Sequence, residues 1–228
     1  MPATSVGQKG KGISKKEITW SAGIAGCASP PRGFIILCAG DSITAEAYPH
    51  FLQRLFARDG VRARVLNYGR SGFTSGEYRA FLEKNLDRMC RERPDAILLQ
   101  LGTNDVRVDG DRTPTRDFEA NMRAILAAFK GCRSRSNRPS LLFLATIPPV
   151  PKDTPLPFSA ESVRRVEEDI NPAIRSLAVE ESLPLVDNHG LFLSRPDLLP
   201  GIHPSRDGYR ALAANWYGSL RPRLGALR

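Results

Sequence analysis

The chain has 228 residues, of which 41% are hydrophobic and 25% are charged, and its formal net charge is +9. This length fits one α/β domain of ordinary size with a short tail, and the composition excludes a globally disordered chain. No apolar run approaches the roughly 20 residues that a membrane-spanning helix needs, so we expect no stable membrane insertion.

The excess of positive charge is spread over three separate stretches of the chain. These lie near the N terminus, around residues 133–138 and at the C-terminal end. No aromatic and basic stripe accompanies them, and no zinc-knuckle spacing is present. We therefore expect general solubility and a weak attraction to polyanions, and no nucleic-acid partner.

The four cysteines show no regular spacing and form no CxxC pair. They are Cys27, Cys38, Cys90 and Cys132. A disulfide framework is typical of small secreted chains, and a chain of this length can form a core without one. We therefore expect four unpaired thiols, with Cys38 buried in an apolar strand.

Residues 1–31 are rich in Gly, Ser, Lys and Pro and have no sustained hydrophobic periodicity. This composition predicts a flexible leader. Within it, basic residues precede the segment from Ile18 to Cys27, which resembles a bacterial lipoprotein signal ending in Ala-Gly-Cys. The apolar part is short and diluted by polar residues, whereas a signal needs about 7–15 apolar residues. We favour an ordinary flexible leader or a misassigned start, and a cytoplasmic location, with export as the alternative.

From Gly33 onward, apolar runs alternate with helical patterns. Strands are predicted over residues 34–39, 64–68, 96–101, 140–146 and 183–187. Helices are predicted through residues 51–56 and over 77–91, 116–129, 160–181 and 206–220, the fourth being kinked near Pro172. Strands that are almost entirely apolar and alternate with helices indicate a parallel sheet covered on both faces. Such sheets bind ligands at the carboxyl ends of their strands.

The first three predicted strands end in polar, glycine-containing loops. These loops are Gly40–Thr44, Asn67–Gly72 and Gly102–Asp105. Ser42 lies between a strand and a helix, and the partial positive charge at a helix N terminus favours a developing anion. Three groups are candidate oxyanion donors: the backbone N–H of Ser42, that of Gly72 and the side-chain amide of Asn104.

A serine hydroxyl needs a base that removes its proton. Of the three histidines, His50 falls in the first helical pattern and His189 in a loop after the fifth strand. His203 lies just before the last predicted helix, from which it can return to the first strand and reach Ser42. We therefore predict that His203 is the base, and that the other two histidines are surface or packing residues.

Together with Gly201–Pro204, these loops resemble the ordered sequence blocks of the SGNH (GDSL-type) hydrolases, over roughly residues 34–220. The resemblance implies a flavodoxin-like three-layer α/β/α sandwich with a five-stranded parallel sheet, in a domain spanning residues 32–228. It also implies Ser42 as nucleophile, His203 as base, and Gly72 and Asn104 as oxyanion donors. The family hydrolyses esters and thioesters, including acetylated sugars, lysophospholipids and short acyl esters, without a metal or other cofactor.

The chain departs from this family at the third member of the triad. The aspartate that normally lies three residues before the histidine is replaced by Pro200. Three alternatives follow: a dyad in which a backbone carbonyl orients His203, a substitute carboxylate from Asp197, or a weakly active or inactive protein. In a serine protease, disabling the third member costs about 10⁴ in turnover.

The same residues leave competing functions open. An acyltransferase would use the same site and exclude water, whereas a carbohydrate-binding or lipid-binding homologue would lack catalysis.

Nearby acidic residues are expected to brace loops, and several other residues are expected to line the pocket. The bracing residues are Asp41, Asp105 and Asp187, and the pocket candidates are Tyr48, Phe73, Val106 and the loop over residues 148–158.

Overall fold

The computed structural model describes residues 33–110 and 112–227, so the predicted leader over residues 1–31 lies outside them. The strands are β1 (Phe34–Gly40), β2 (Ala63–Gly69), β3 (Ala96–Gln100), β4 (Leu141–Ala145) and β5 (Leu185–Val186). The helices are α1 (Ser42–Glu46), α2 (Tyr48–Arg58), α3 (Ser75–Arg91), α4 (Thr115–Lys130), α5 (Ala160–Arg165), α6 (Asn171–Glu180), α7 (Asn188–Ser194) and α8 (Arg206–Leu220). Within the described part of the chain, no helix combines the length and apolar character needed to cross a bilayer.

The five strands form a single parallel sheet in the order β2-β1-β3-β4-β5. This arrangement confirms the predicted five-stranded parallel α/β architecture. Because β1 lies between β2 and β3, the chain first winds to one side of β1 and then to the other. In sheets of this kind the carboxyl ends of the strands at such a reversal form a crevice that binds ligands.

The central strands β1, β3 and β4 are almost entirely buried. Successive side chains of a strand point to opposite faces, so each face of the sheet packs against its own set of helices. In β1, Leu37 and Ala39 pack with α3, α4 and α6, whereas Ile36 and Cys38 pack with α2, α7 and α8. The two apolar clusters give the three layers of the domain. The helices shield these strands from solvent: Trp216 of α8, for example, is fully buried in the same cluster as Ile36 and Cys38. The central strands therefore have no solvent-exposed face that would require polar residues. Burial of one such side chain contributes about 1.5–3 kcal/mol.

Local chemistry accounts for three departures from the predicted elements. The first helical segment begins at Ser42 and is interrupted at Ala47, after which α2 begins with a proline in its first turn. A π-helical segment, Val166–Ile170, connects α5 to α6 and precedes Pro172, which has no N–H to donate into the preceding turn. His189 lies in α7 rather than in a loop, because Asp187 caps that helix.

The expectation of four unpaired thiols was wrong for one pair. Cys90 at the end of α3 and Cys132 after α4 form a disulfide, with 4.9 Å between their Cα atoms. The two cysteines are 42 residues apart in sequence, and they meet because α3 and α4 pack side by side on the same face of the sheet. Cys38 is free and buried as expected, and burial raises the pKa of its thiol to about 12. Cys27 lies outside the described residues.

Replacing both Cys90 and Cys132 with alanine is expected to lower the free energy of unfolding by about 3–4 kcal/mol. The disulfide closes a 42-residue loop and so restricts the unfolded chain more than the folded one. Urea unfolding of the oxidised protein and of the double variant measures the difference. Equal urea midpoints, without added reductant, would contradict the prediction.

Candidate active site

The nucleophile candidate lies directly after β1. Asp41 is the N-cap of α1, and its carboxylate accepts a hydrogen bond of 3.0 Å from the N–H of Ile43. This cap makes Ser42 the first residue of the helix, at the carboxyl edge of the sheet. Asp41 is completely buried, and this burial raises its pKa to about 6 despite hydrogen bonds that lower it.

His203 lies in the segment between a 3₁₀ turn, Pro196–Leu198, and α8. Ser205 fixes this segment, since its side chain caps α8 and its N–H donates a 2.9 Å hydrogen bond to the carbonyl of Leu198. The imidazole Nε2 lies 2.8 Å from the Oγ of Ser42, across a sequence separation of 161 residues. The structure therefore brings together the two side chains that the sequence analysis paired.

Two of the three predicted oxyanion donors, Gly72 and Asn104, follow the strands on either side of β1. Gly72, after β2, has a φ of +80°, a conformation that glycine adopts without strain. Asn104, after β3, is nearly buried, and its Nδ2 donates a 3.0 Å hydrogen bond to the carbonyl of Phe73. That bond ties the Asn104 side chain to the residue next to Gly72. Both residues line the same cleft as Ser42.

The loops around these residues are braced from within. Asp105 is buried and accepts hydrogen bonds from both the N–H and the hydroxyl of Ser75, as expected of a structural carboxylate. Burial raises the pKa of Asp105. Asp187 likewise accepts hydrogen bonds from Thr146 and from the backbone of α7. Gly69 packs against the backbone of Ala45, where a Cβ would come within 2.2 Å, so a glycine is needed where β2 meets α1.

The cleft is lined by residues from five segments of the chain, namely helix α1 and four segments that lie outside the long helices and the strands. They are Ser42, Glu46, Ser71, Gly72, Thr103, Asn104, Arg107, Pro157, Phe158, Ile202 and His203. Pro157 and Phe158 belong to the loop over residues 148–158 that was expected to line the pocket. Tyr48 and Val106 do not line the cleft, because both are fully buried in the core, and Phe73 packs against Phe81.

Asp197, the tentative substitute for the missing aspartate, does not reach His203. Its carboxylate accepts hydrogen bonds of 3.0 and 2.9 Å from Arg195, and its side chain is 61% exposed. This local pair keeps Asp197 on the surface. Among the described residues, no backbone carbonyl accepts a hydrogen bond from His203 either. The structure thus provides neither of the two partners that the sequence analysis considered for the imidazole.

A different carboxylate faces the imidazole, and sequence reasoning missed it. Oε1 of Glu46 lies 3.4 Å from Nδ1 of His203, and its Oε2 accepts a hydrogen bond from the hydroxyl of Tyr209. Glu46 is four residues after Ser42, a spacing that places two side chains on the same side of a helix. This spacing from Ser42 was the one feature of the sequence that could have indicated Glu46 as a residue of the site.

The structural comparisons show the same fold in several solved proteins. A lipase/acylhydrolase from Enterococcus faecalis matches with a TM-score of 0.69 and 22% identity, covering 83% of this chain and 96% of the other. A carbohydrate acetylesterase family member from Sinorhizobium meliloti matches with a TM-score of 0.69 and 19% identity, covering 84% and 99%. An acetyl xylan esterase from Geobacillus stearothermophilus matches with a TM-score of 0.65 and 21% identity, covering 82% and 94%. The comparison with curated proteins found no match.

The sequence itself matches the model of one family over most of the domain. The match covers residues 38–211, which include Ser42, Gly72, Asn104 and His203. The match begins within β1 and ends within α8, so it includes residues of all five strands. The chain belongs to the GDSL-like lipase/acylhydrolase family.

Proposed function

We propose that this protein hydrolyses carboxylic esters or thioesters by serine catalysis, with Ser42 as nucleophile and His203 as general base. The observation that carries the proposal is the 2.8 Å contact between Ser42 Oγ and His203 Nε2. A hydroxyl in hydrogen-bond contact with a neutral imidazole nitrogen can lose its proton as it attacks. The contact lies in a cleft that Gly72 and Asn104 also line, where a developing oxyanion needs donors.

In the first half of the reaction, Ser42 Oγ forms a bond to the carbonyl carbon, and its proton passes to Nε2 of His203. The carbonyl π electrons move to the oxygen, where the N–H groups of Ser42 and Gly72 and the amide of Asn104 stabilise the oxyanion. When the intermediate collapses, the bond to the leaving alcohol breaks and that alcohol takes the proton from Nε2. Water then attacks the acyl-enzyme by the same steps, which releases the acid and restores Ser42.

The preferred substrate is a small-molecule ester with a short acyl group, such as an acetylated carbohydrate. The apolar residues that line the cleft are few, namely Pro157, Phe158 and Ile202, and the others are polar or glycine. A long acyl chain needs a larger apolar surface for its burial. The names of two structural neighbours, a carbohydrate acetylesterase family member and an acetyl xylan esterase, support the same substrate class.

Solvent access favours hydrolysis over transfer to a second alcohol. The His203 side chain is 43% exposed, so water reaches the base that must activate the second nucleophile. An acyltransferase has to exclude water at this step. Incubation with an aryl acetate and an excess of a sugar acceptor distinguishes the two reactions. We expect free acetate as the main product, and acetylated sugar in excess of acetate would indicate a transferase.

A fluorophosphonate probe tests whether Ser42 is an activated nucleophile. We expect one covalent equivalent per wild-type chain and none in Ser42→Ala, because only a deprotonatable hydroxyl beside a base attacks the phosphorus. Intact-protein mass spectrometry measures the label. The same preparation should hydrolyse p-nitrophenyl acetate and butyrate faster than the octanoate. A folded wild-type protein that takes no label would identify a binding protein instead.

A further inference from the structure

The imidazole of His203 has two nitrogens, and each faces a side chain of the same short helix. Nε2 contacts the hydroxyl of Ser42, and Nδ1 lies 3.4 Å from Oε1 of Glu46. The two residues of α1 are one helical turn apart, so a single element presents both the nucleophile and a carboxylate to the ring. A distance of 3.4 Å is longer than a formed hydrogen bond, but such contacts often shorten when the substrate is bound.

The Glu46 carboxylate is itself oriented by α8. The hydroxyl of Tyr209 donates a hydrogen bond to Oε2, which leaves Oε1 as the oxygen that faces His203. Tyr209 is 5% exposed, and burial together with the hydrogen bond to Glu46 raises the pKa of its hydroxyl. It therefore stays protonated and acts as the donor. Because α8 begins three residues after His203, the same segment positions the base and the tyrosine.

No other carboxylate among the described residues competes for this position. Asp197 is paired with Arg195, and Asp41 is engaged by the N–H of Ile43. Asp109 is a third carboxylate near the cleft, and it forms a salt bridge with Arg107, which lines the cleft. The residue at the family's usual position is Pro200, which has no carboxylate to offer.

We infer that Glu46 replaces the missing triad aspartate: it orients the imidazole of His203 through Nδ1, and Tyr209 holds Glu46 in place. This inference rests on the proposed serine esterase function. When His203 takes the proton of Ser42 it becomes a cation, and the adjacent carboxylate stabilises that cation without itself becoming protonated. Glu46 and Tyr209 are thus positioning residues that act through the base.

Glu46→Gln is expected to lower kcat for an aryl acetate about 100-fold, with KM changed by less than about 3-fold. The fall is smaller than the ~10⁴ seen for a buried triad aspartate, because Glu46 is 42% exposed and water partly replaces it. A neutral amide does not stabilise the imidazolium that forms when His203 takes the proton of Ser42, so the loss should fall on kcat and not on KM. Glu46→Asp keeps a carboxylate and should recover part of the lost kcat. A purely structural role for Glu46 would produce neither the split between kcat and KM nor this recovery.

Tyr209→Phe is expected to lower kcat roughly 10-fold, because the freed Glu46 side chain visits other orientations. The structure offers a matched control on the same helix. The hydroxyl of Tyr217 donates a 2.8 Å hydrogen bond to Asp59, and its side chain is 6% exposed, but neither residue lines the cleft. Tyr217→Phe and Asp59→Asn should therefore leave kcat within about twofold of wild type.

The outcomes separate this inference from the proposed function. A Glu46→Gln variant with a wild-type kcat, or a Glu46→Asp variant as slow as Glu46→Gln, would overturn the role of Glu46. A large loss in Asp197→Asn beside an active Glu46→Gln would assign that role to Asp197. A wild-type protein without Ser42-dependent hydrolysis would end the esterase proposal. In that case, a crystal structure of the wild-type protein in which the Glu46 carboxylate lies away from Nδ1 of His203 would overturn the Glu46 contact as well.

Discussion

Replacing Ser42 with alanine is expected to lower kcat for ester hydrolysis by about 10⁴-fold or more. The substitution removes the atom that forms the acyl-enzyme, and the remaining rate reflects only binding and the oxyanion donors. His203→Ala should cost about as much, because the 2.8 Å contact with Nε2 is what removes the serine proton. The double variant should be no slower than either single variant, since the two residues act as one unit. Steady-state hydrolysis of p-nitrophenyl acetate measures all three.

Two substitutions serve as controls for these variants. His50 is exposed on α2, and Ser194 is exposed at the end of α7, and neither lines the cleft. His50→Ala and Ser194→Ala should keep kcat within about twofold of the wild-type value. A Ser42→Ala protein that retains more than about a tenth of wild-type activity would exclude a serine acyl-enzyme. Circular dichroism of each variant checks that the fold is unchanged.

Replacing Asn104 with alanine is expected to lower kcat by about 10²- to 10³-fold while KM changes by less than about 3-fold. Removal of one oxyanion donor costs this much in other acyl-transfer enzymes, because the donor acts mainly on the charge of the transition state. The Nδ2 atom carries two N–H groups, and one of them donates to the carbonyl of Phe73. The other can therefore serve the oxyanion without a change in side-chain orientation.

Asn85 provides a matched control for Asn104. Its Nδ2 also donates to a backbone carbonyl, that of Phe81 at 2.8 Å, but it lies on α3 and does not line the cleft. Asn85→Ala therefore removes the same kind of hydrogen bond and should leave kcat unchanged within about twofold. If Asn104→Ala raised KM and left kcat unaltered, Asn104 would be a substrate-binding residue and the oxyanion assignment would be wrong.

Near-continuous apolar runs were sufficient to predict the central strands β1, β3 and β4, whereas the edge strand β2 carries the exposed Arg64 and Asn67. A strand that is buried on both faces has to be apolar throughout, and each such run is a local property of the chain. The sequence also predicted that the loops after β1, β2 and β3 lie close together, because the carboxyl ends of parallel strands meet at one edge of a sheet. From these local patterns the sequence led to Ser42, Gly72, Asn104 and His203, which all line one cleft in the structure.

The contacts that the sequence left undetermined join distant parts of the chain. The hydrogen bond between Tyr209 and Glu46 spans 163 residues, and the disulfide between Cys90 and Cys132 spans 42. Whether such groups meet depends on how α8 and α1, or α3 and α4, are positioned over the sheet. No local pattern of residues encodes that position, because it results from the packing of two apolar faces.

The carboxylate that faces His203 is the clearest example of a contact that depends on tertiary structure and not on local sequence. By itself the sequence determined that a carboxylate was missing at Pro200, and it suggested Asp197 as the nearest replacement along the chain. Only the tertiary structure decided that Asp197 pairs with Arg195 and that Glu46 faces the imidazole. The physical reason is that electrostatic contact depends on distance in space: folding brings Oε1 of Glu46 to 3.4 Å from Nδ1, although Asp197 is much nearer to His203 along the chain.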